Sequence, residues 1–149
     1  MPVQAIHGEA VLGRIAARLA KHVEVVLSEL DLSPSQYRVL SVLSLGPEGA
    51  SRLAGSLSIS RPSLTGVVDG LVAHGFIARK DDLSDRRRVA LALTPAGSRA
   101  LRKADHMLEQ RLVEILSHAS DAEAELARRG LEAWHGPLEA DRATRRLKR

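Results

Sequence analysis

The apolar positions between residues 11 and 27 recur at steps of three and four: Val11, Leu12, Ile15, Leu19, Val23, Val26 and Leu27. That spacing gathers them on one face and predicts a long first helix over residues 6–30. A second helix opens at Ser33-Pro34-Ser35-Gln36. Serine can cap it, proline suits its first position, and Gln36 can reach back as in a capping box. Its apolar face is Tyr37, Val39, Leu40, Val42 and Leu43, and Gly46-Pro47 stops it. A short helix is expected over residues 50–57, with Leu53, Ala54 and Leu57 inward. Ser60 caps a fourth helix whose Pro62 sits harmlessly in the first turn. Leu64, Val67, Val68, Leu71 and Val72 form its stripe, and Gly75 ends it as a left-handed cap.

The period then changes. Residues 76–80 and 89–94 read as two strands of a hairpin, with DLSDRRR between them, too long for a two-residue turn. Thr94-Pro95 restarts helix, and Leu101, Ala104, Met107, Leu108, Leu112, Ile115 and Leu116 carry a stripe to about residue 118. Ser120 and Glu123 make a second capping box, opening a helix with Leu126, Leu131 and Trp134. Gly136-Pro137 is expected to break it, leaving a basic tail that frays or is weakly helical. The fold class is therefore mainly α: a helix-turn-helix followed by a two-stranded β wing, flanked by terminal helices.

Composition narrows this picture. With 149 residues the chain fits one domain, and 44% hydrophobic residues suffice for a core. Aromatics are only 2%, so Leu, Val, Ile and Ala must fill it. No cysteine is present, which excludes disulfides, zinc-thiolate sites and thiol redox sensing. No apolar run approaches a membrane span, and the first residues lack a signal-peptide pattern, so a cytoplasmic location is expected. No nucleotide-binding, metalloprotease or nucleophile-elbow motif occurs, so an enzyme is not expected, and no cofactor is implied. His106 and Glu109 lie at i, i+3 with His118 farther along. Two such ligands arise often by chance, so no metal site is assigned.

A net charge of +4 suits a polyanionic partner. In a helix-turn-helix the second helix enters the major groove with its N-terminal residues at base edges. Here those residues are Ser60, Arg61, Ser63 and Thr65. Arginine can contact guanine twice, and hydroxyls can reach bases or phosphates. The wing carries Asp85, Arg86, Arg87 and Arg88. Arginines at a hairpin tip suit the negative potential of the minor groove, with Asp85 holding Arg87 extended. The competing reading is a solvated loop with local Asp–Arg pairs, worth little energetically.

LSPSQYRVLSVL, followed by SRLAGSLSISRPSLTGVVDGLVAHGFIARKDDLSDRRRVALALTPAG, resembles the MarR family of winged helix-turn-helix repressors over about residues 32–101. The features that carry it are the Leu-Thr of the recognition helix, Gly-Phe-Ile entering the wing, Asp-x-Arg on Asp85 and Arg87, and Leu-Thr-Pro-x-Gly opening the next helix. The resemblance implies one domain over residues 1–149. Its winged region would span 32–96, its dimerisation helices 3–30 and 95–138, and its basic tail 139–149. It also implies a homodimer on palindromic DNA that represses transcription and is often released by a small ligand. The family pocket would fall near Arg14, Arg18, His22, Tyr37 and Arg38. A departure is that Gly66 and Gly70 stand where many members carry arginine or lysine. The function expected is a sequence-specific regulator, a homodimeric repressor of an inverted-repeat operator. A non-specific architectural DNA-binding protein is the alternative, and a module that turns its wing to an acidic protein is a third.

Overall fold

A computed structural model of the protein describes residues 11–81 and 89–147. Among them are seven helices and three short strands: α1 Val11–Ser28, α2 Pro34–Leu43, β1 Glu48–Gly49, α3 Ala50–Leu57, α4 Arg61–Ala73, β2 Ile77–Asp81, β3 Val89–Leu93, α5 Pro95–Leu116, α6 Asp121–Ala133 and α7 His135–Leu147. The mainly helical class is as expected. The strands form one antiparallel sheet in the order β1-β3-β2. Ile77 lies opposite Leu93, and Asp81 opposite Val89. The two-stranded wing is β2 and β3, as expected, and a third short strand not foreseen in the sequence joins its sheet: Glu48 and Gly49 pair with Leu91 and Ala90.

Helix starts follow local chemistry. The Ser33 hydroxyl accepts from the Gln36 N–H, while Gln36 Oε1 accepts from the Ser33 N–H at 2.8 Å. Ser120 and Glu123 repeat the arrangement at α6. Thr94 Oγ1 accepts from the Gly97 N–H at 3.0 Å, opening α5. Three helix ends share another device, in which the chain turns through one left-handed residue: Asp31 (φ 53), Ser58 (φ 54) and Gly75 (φ 70). In each the next N–H reaches back five residues, from Leu32 to Leu27, Ile59 to Ala54 and Phe76 to Leu71. Carbonyls that a helix end would leave unpaired are thereby satisfied. Only the third case uses glycine.

The core lies where α2, α3 and α4 meet the sheet and the first half of α5. Leu27, Leu40, Leu53 and Leu71 are fully enclosed, with Leu64, Ile77, Leu91 and Leu101 against them. The apolar stripe of α4 is thus spent inward, through Leu64, Val68 and Leu71. Its opposite side is left to solvent. The C-terminal segment also differs from expectation. Gly136-Pro137 does not end helical structure; α6 stops at Ala133 and α7 begins at His135, so Pro137 falls in the first turn, where a missing N–H costs nothing. No helix among the described residues is long and apolar enough to cross a membrane.

Candidate nucleic-acid interface

Ser60 caps α4 from an extended backbone, its Oγ accepting from the Ser63 N–H at 3.2 Å. The two serine hydroxyls lie 2.7 Å apart and are hydrogen-bonded to each other, either one able to donate. Thr65 Oγ1 donates to the Arg61 carbonyl at 3.0 Å. Its hydroxyl hydrogen is thereby spent on the helix, and Thr65 turns a methyl group and acceptor lone pairs outward. Those suit a thymine methyl or an amino group of cytosine or adenine. Arg61 is exposed, and no described residue pairs with it. Ser60, Arg61, Ser63 and Thr65 therefore stand together on the open side of α4, as the sequence placed them.

A cleft of about 240 Å³ separates this helix from the hairpin, lined by Arg61, Thr65, Val68, Arg79, Val89 and Leu91 among others. Its far wall is tied to the helix by an ion pair, Arg79 Nη2 to Asp69 Oδ1 at 2.8 Å, with both side chains about half exposed. The sequence puts Asp69 on the open side of this helix but gives no sign of its pairing with Arg79. Their signal was ten residues of separation across a turn, which a one-dimensional reading does not close. Gly66 faces open space, and a Cβ at Gly70 would come within 3.0 Å of the Gln36 amide nitrogen. The wing-tip residues Asp85, Arg86, Arg87 and Arg88 lie outside the described residues.

The five residues expected to line a ligand pocket divide. His22 and Tyr37 face one recess of about 350 Å³ between α1, α2 and α5, together with Asp105, Leu108 and Arg111. Arg14 and Arg18 do not line it. At roughly 1.5 Å of rise per residue, Arg14 sits about 12 Å up the helix from His22, and both arginines are exposed. Arg38 points elsewhere, donating to the Leu57 carbonyl at 2.9 Å. It follows Tyr37 directly, so it falls about 100° around the helix from it.

Within the recess the Tyr37 hydroxyl donates to Asp105 Oδ1 at 2.7 Å. Burial, and then the Asp105 carboxylate, push the phenol up to about 12. Arg111 Nη2 stands 3.4 Å from His22 Nδ1, and its Nη1 pairs with Glu114 at 2.9 Å. Asp105 and Arg111 were missed in the sequence. Each falls on the polar side of the α5 stripe, where periodicity marks residues only as solvent-facing.

A separate apolar surface runs along α1, α5 and α6. Ile15, Leu19, Leu112, Ile115, Leu131 and Trp134 line a depression of about 390 Å³. Leu126 and Trp134 remain 73% and 56% exposed, which is far from the burial such side chains usually reach.

The model of the MarR family matches residues 32–89. The HTH-type transcriptional regulator FarR of Neisseria gonorrhoeae is 31% identical over 114 residues, covering 74% of this chain and 78% of that protein. A solved structure of the transcriptional repressor CouR bound to a 23-mer DNA duplex is similar with a TM-score of 0.69 and 27% identity, over 83% of this chain and 87% of that one. NadR in complex with 4-hydroxyphenylacetate is similar with a TM-score of 0.62 and 28% identity, over 90% and 97%.

Proposed function

The chain belongs to the MarR family of DNA-binding transcriptional regulators, which are not enzymes, and from that premise we propose a homodimeric repressor that reads an inverted-repeat operator. One observation carries the reading. The α4 stripe is buried while Ser60, Arg61, Ser63 and Thr65 share its open side, next to a hairpin held at fixed distance by Asp69 and Arg79. A helix so placed can enter a major groove with its N-terminal residues at base edges. Asp85 and Arg86 to Arg88 would then meet the neighbouring minor groove. Similarity to CouR, a repressor seen on duplex DNA, supports the same docking.

The dimer follows from the uncovered apolar surface. Residues of α1, α5 and α6 that stay exposed in one chain need a partner, and a second copy supplies the matching face across a two-fold axis. Two recognition helices then fall about 34 Å apart, one DNA turn.

The recess beside Tyr37 is the proposed effector site. Arg111 and His22 offer cationic or hydrogen-bonding groups at one side, and Val23, Leu108 and Leu112 offer apolar wall. A small aromatic acid fits that chemistry. NadR, which is similar over most of this chain, was solved with 4-hydroxyphenylacetate. Because the recess joins α1 and α5 to α2, a ligand there bears on the angle between the dimer helices and the winged region. A cytoplasmic location belongs to the same proposal.

Selection of bound duplexes from a random pool tests the reading. A repeated half-site in inverted orientation, spaced about 10 bp centre to centre, is expected. Recovery of sequences with no shared half-site would favour the architectural alternative.

A further inference from the structure

Thr65 is exposed, one turn beyond Arg61 on the open side of α4, and its side chain is fixed. The hydroxyl donates to the Arg61 carbonyl at 3.0 Å. That bond selects one rotamer of a side chain that is stiff by nature. It draws Oγ1 back toward the helix backbone. The methyl group leaves the tetrahedral Cβ in a different direction, so it is the part of Thr65 that stands out from the helix.

The surroundings of the methyl are apolar or empty. Pro62, three residues earlier on the same side, is exposed and presents only ring carbons. Gly66 has no side chain, and a Cβ there would meet nothing within 4 Å. Nearby polar groups are occupied with one another. The Ser60 and Ser63 hydroxyls lie 2.7 Å apart, and Asp69, one turn on, holds Arg79 at 2.8 Å. A small carbon surface is thus presented beside Arg61, on the face proposed to meet base edges. Major-groove edges offer hydrogen-bond donors and acceptors, with one apolar exception, the 5-methyl group of thymine.

We propose that Thr65 reads the 5-methyl group of a pyrimidine in each half-site. The proposal rests on the DNA-binding reading above and states what α4 recognises at this position. Thymine is the base selected. 5-Methylcytosine is accepted in its place, because its methyl occupies the same ring position. A cytosine there becomes a better ligand when methylated. The contact is apolar and releases no counterions, so it alters affinity and leaves the salt dependence alone.

The test crosses two variants with single-group changes in the DNA. The full chain, Thr65→Ser and Thr65→Val are titrated with the selected operator. They are also titrated with copies in which one thymine, at the symmetric place in both half-sites, is replaced by deoxyuridine, each thymine in turn. Deoxyuridine lacks only the methyl. Serine keeps the hydroxyl and loses the methyl, and valine does the reverse. One buried methyl corresponds to roughly 3–5-fold in affinity, so two half-sites give roughly 10–20-fold. Wild type and Thr65→Val should lose that much at one thymine position, with an unchanged salt slope. Thr65→Ser should bind both copies equally there. With cytosine at that place, 5-methylation should restore a similar factor for wild type and Thr65→Val but not for Thr65→Ser. If deoxyuridine weakens wild type nowhere, or Thr65→Ser discriminates as well as wild type, the proposal is overturned while operator recognition stands. If Thr65→Val alone loses base preference, the hydroxyl reads a base amino group, and the proposal is again overturned. Wild type that binds the selected operator no better than random duplex overturns both readings.

Discussion

The Tyr37 hydroxyl donates a 2.7 Å hydrogen bond to Asp105 across 68 residues of sequence, joining α2 of the winged region to the long helix α5. A bond placed at that junction is loaded whenever the two parts move relative to each other. It sits in the recess proposed for the effector, so a ligand that competes for either group changes the joint directly.

This bond has a pH signature. Burial and the Asp105 carboxylate hold the Tyr37 phenol up at about 12. The folded state thus keeps the proton more tightly than the unfolded chain, whose tyrosine titrates near 10. The stabilisation is fully present below about pH 10 and is lost as the pH rises through about 12. Discounted for solvent screening of a ring that is only partly buried, it amounts to on the order of 1 kcal/mol. Tyr37 is the sole tyrosine, so tyrosinate absorbance reports it alone. Asp105→Asn should bring the midpoint part of the way toward 10, since desolvation remains. An unchanged midpoint in that variant would show that the carboxylate does not matter.

Gly97 is held against the backbone of Phe76. A Cβ there would stand 2.0 Å from the Phe76 carbonyl oxygen and 3.0 Å from Leu93. Thr94 N–H donates to the same carbonyl at 3.0 Å, so that oxygen cannot move freely. Gly97→Ala should therefore cost roughly 1–3 kcal/mol or more, as overpacking against rigid neighbours does. Chemical denaturation measures it, and a loss within ~0.5 kcal/mol would mean that α5 re-seats easily.

Ser58 makes the turn of the helix-turn-helix from a left-handed backbone (φ 54). Ser58→Val should destabilise by about 1–2 kcal/mol, because a β-branched side chain is strained there. Ser58→Gly should hold stability near the wild-type value. Equal melting of both variants would argue against a left-handed turn.

A Cβ added at Gly66, on the open side of α4, would meet nothing within 4 Å. Gly66→Arg should stiffen the helix by roughly 0.5–1 kcal/mol. It should also add about 0.9 to the salt slope if it reaches a phosphate. A thermal gain without any change in salt slope would place this face of α4 away from the backbone.

The dimer proposal turns on residues such as Leu131, which is 50% exposed in one chain. Leu131→Asp disturbs little within the protomer but puts an unpaired charge into a two-chain interface. Sedimentation should then show monomers, and wild-type melting should rise with concentration. A Leu131→Asp protein that stays dimeric would assign α6 to another contact.

Much of the fold could be read in the sequence because its signals are local. Ser33, Ser60, Thr94 and Ser120 each cap the helix that follows, and each partner lies three residues on. The inward stripe of α4 obeys simple periodicity. What escaped was set by contacts distant in sequence. Strand β1 is two residues long and exists only through its pairing with β3. Asp31 and Ser58 take a conformation usually given to glycine, so no glycine marked those turns. Arg14 and Arg18 were grouped with His22 by charge, although the helix rise carries them out of its recess. Pro137 was read as a breaker, whereas two positions after the new start at His135 it lies in a first turn, where its missing N–H is tolerated.

In the proposed complex Arg61 and its neighbours read bases rather than merely touch the DNA backbone. Competition between the selected operator and random duplex at physiological salt measures this most directly, for the wild type and for Arg61→Ala. The wild type should favour its operator by at least ~10³, and Arg61→Ala should lose much of that ratio while keeping its affinity for random DNA. A wild-type ratio near one, or an Arg61→Ala protein that loses affinity for both duplexes equally, would contradict it.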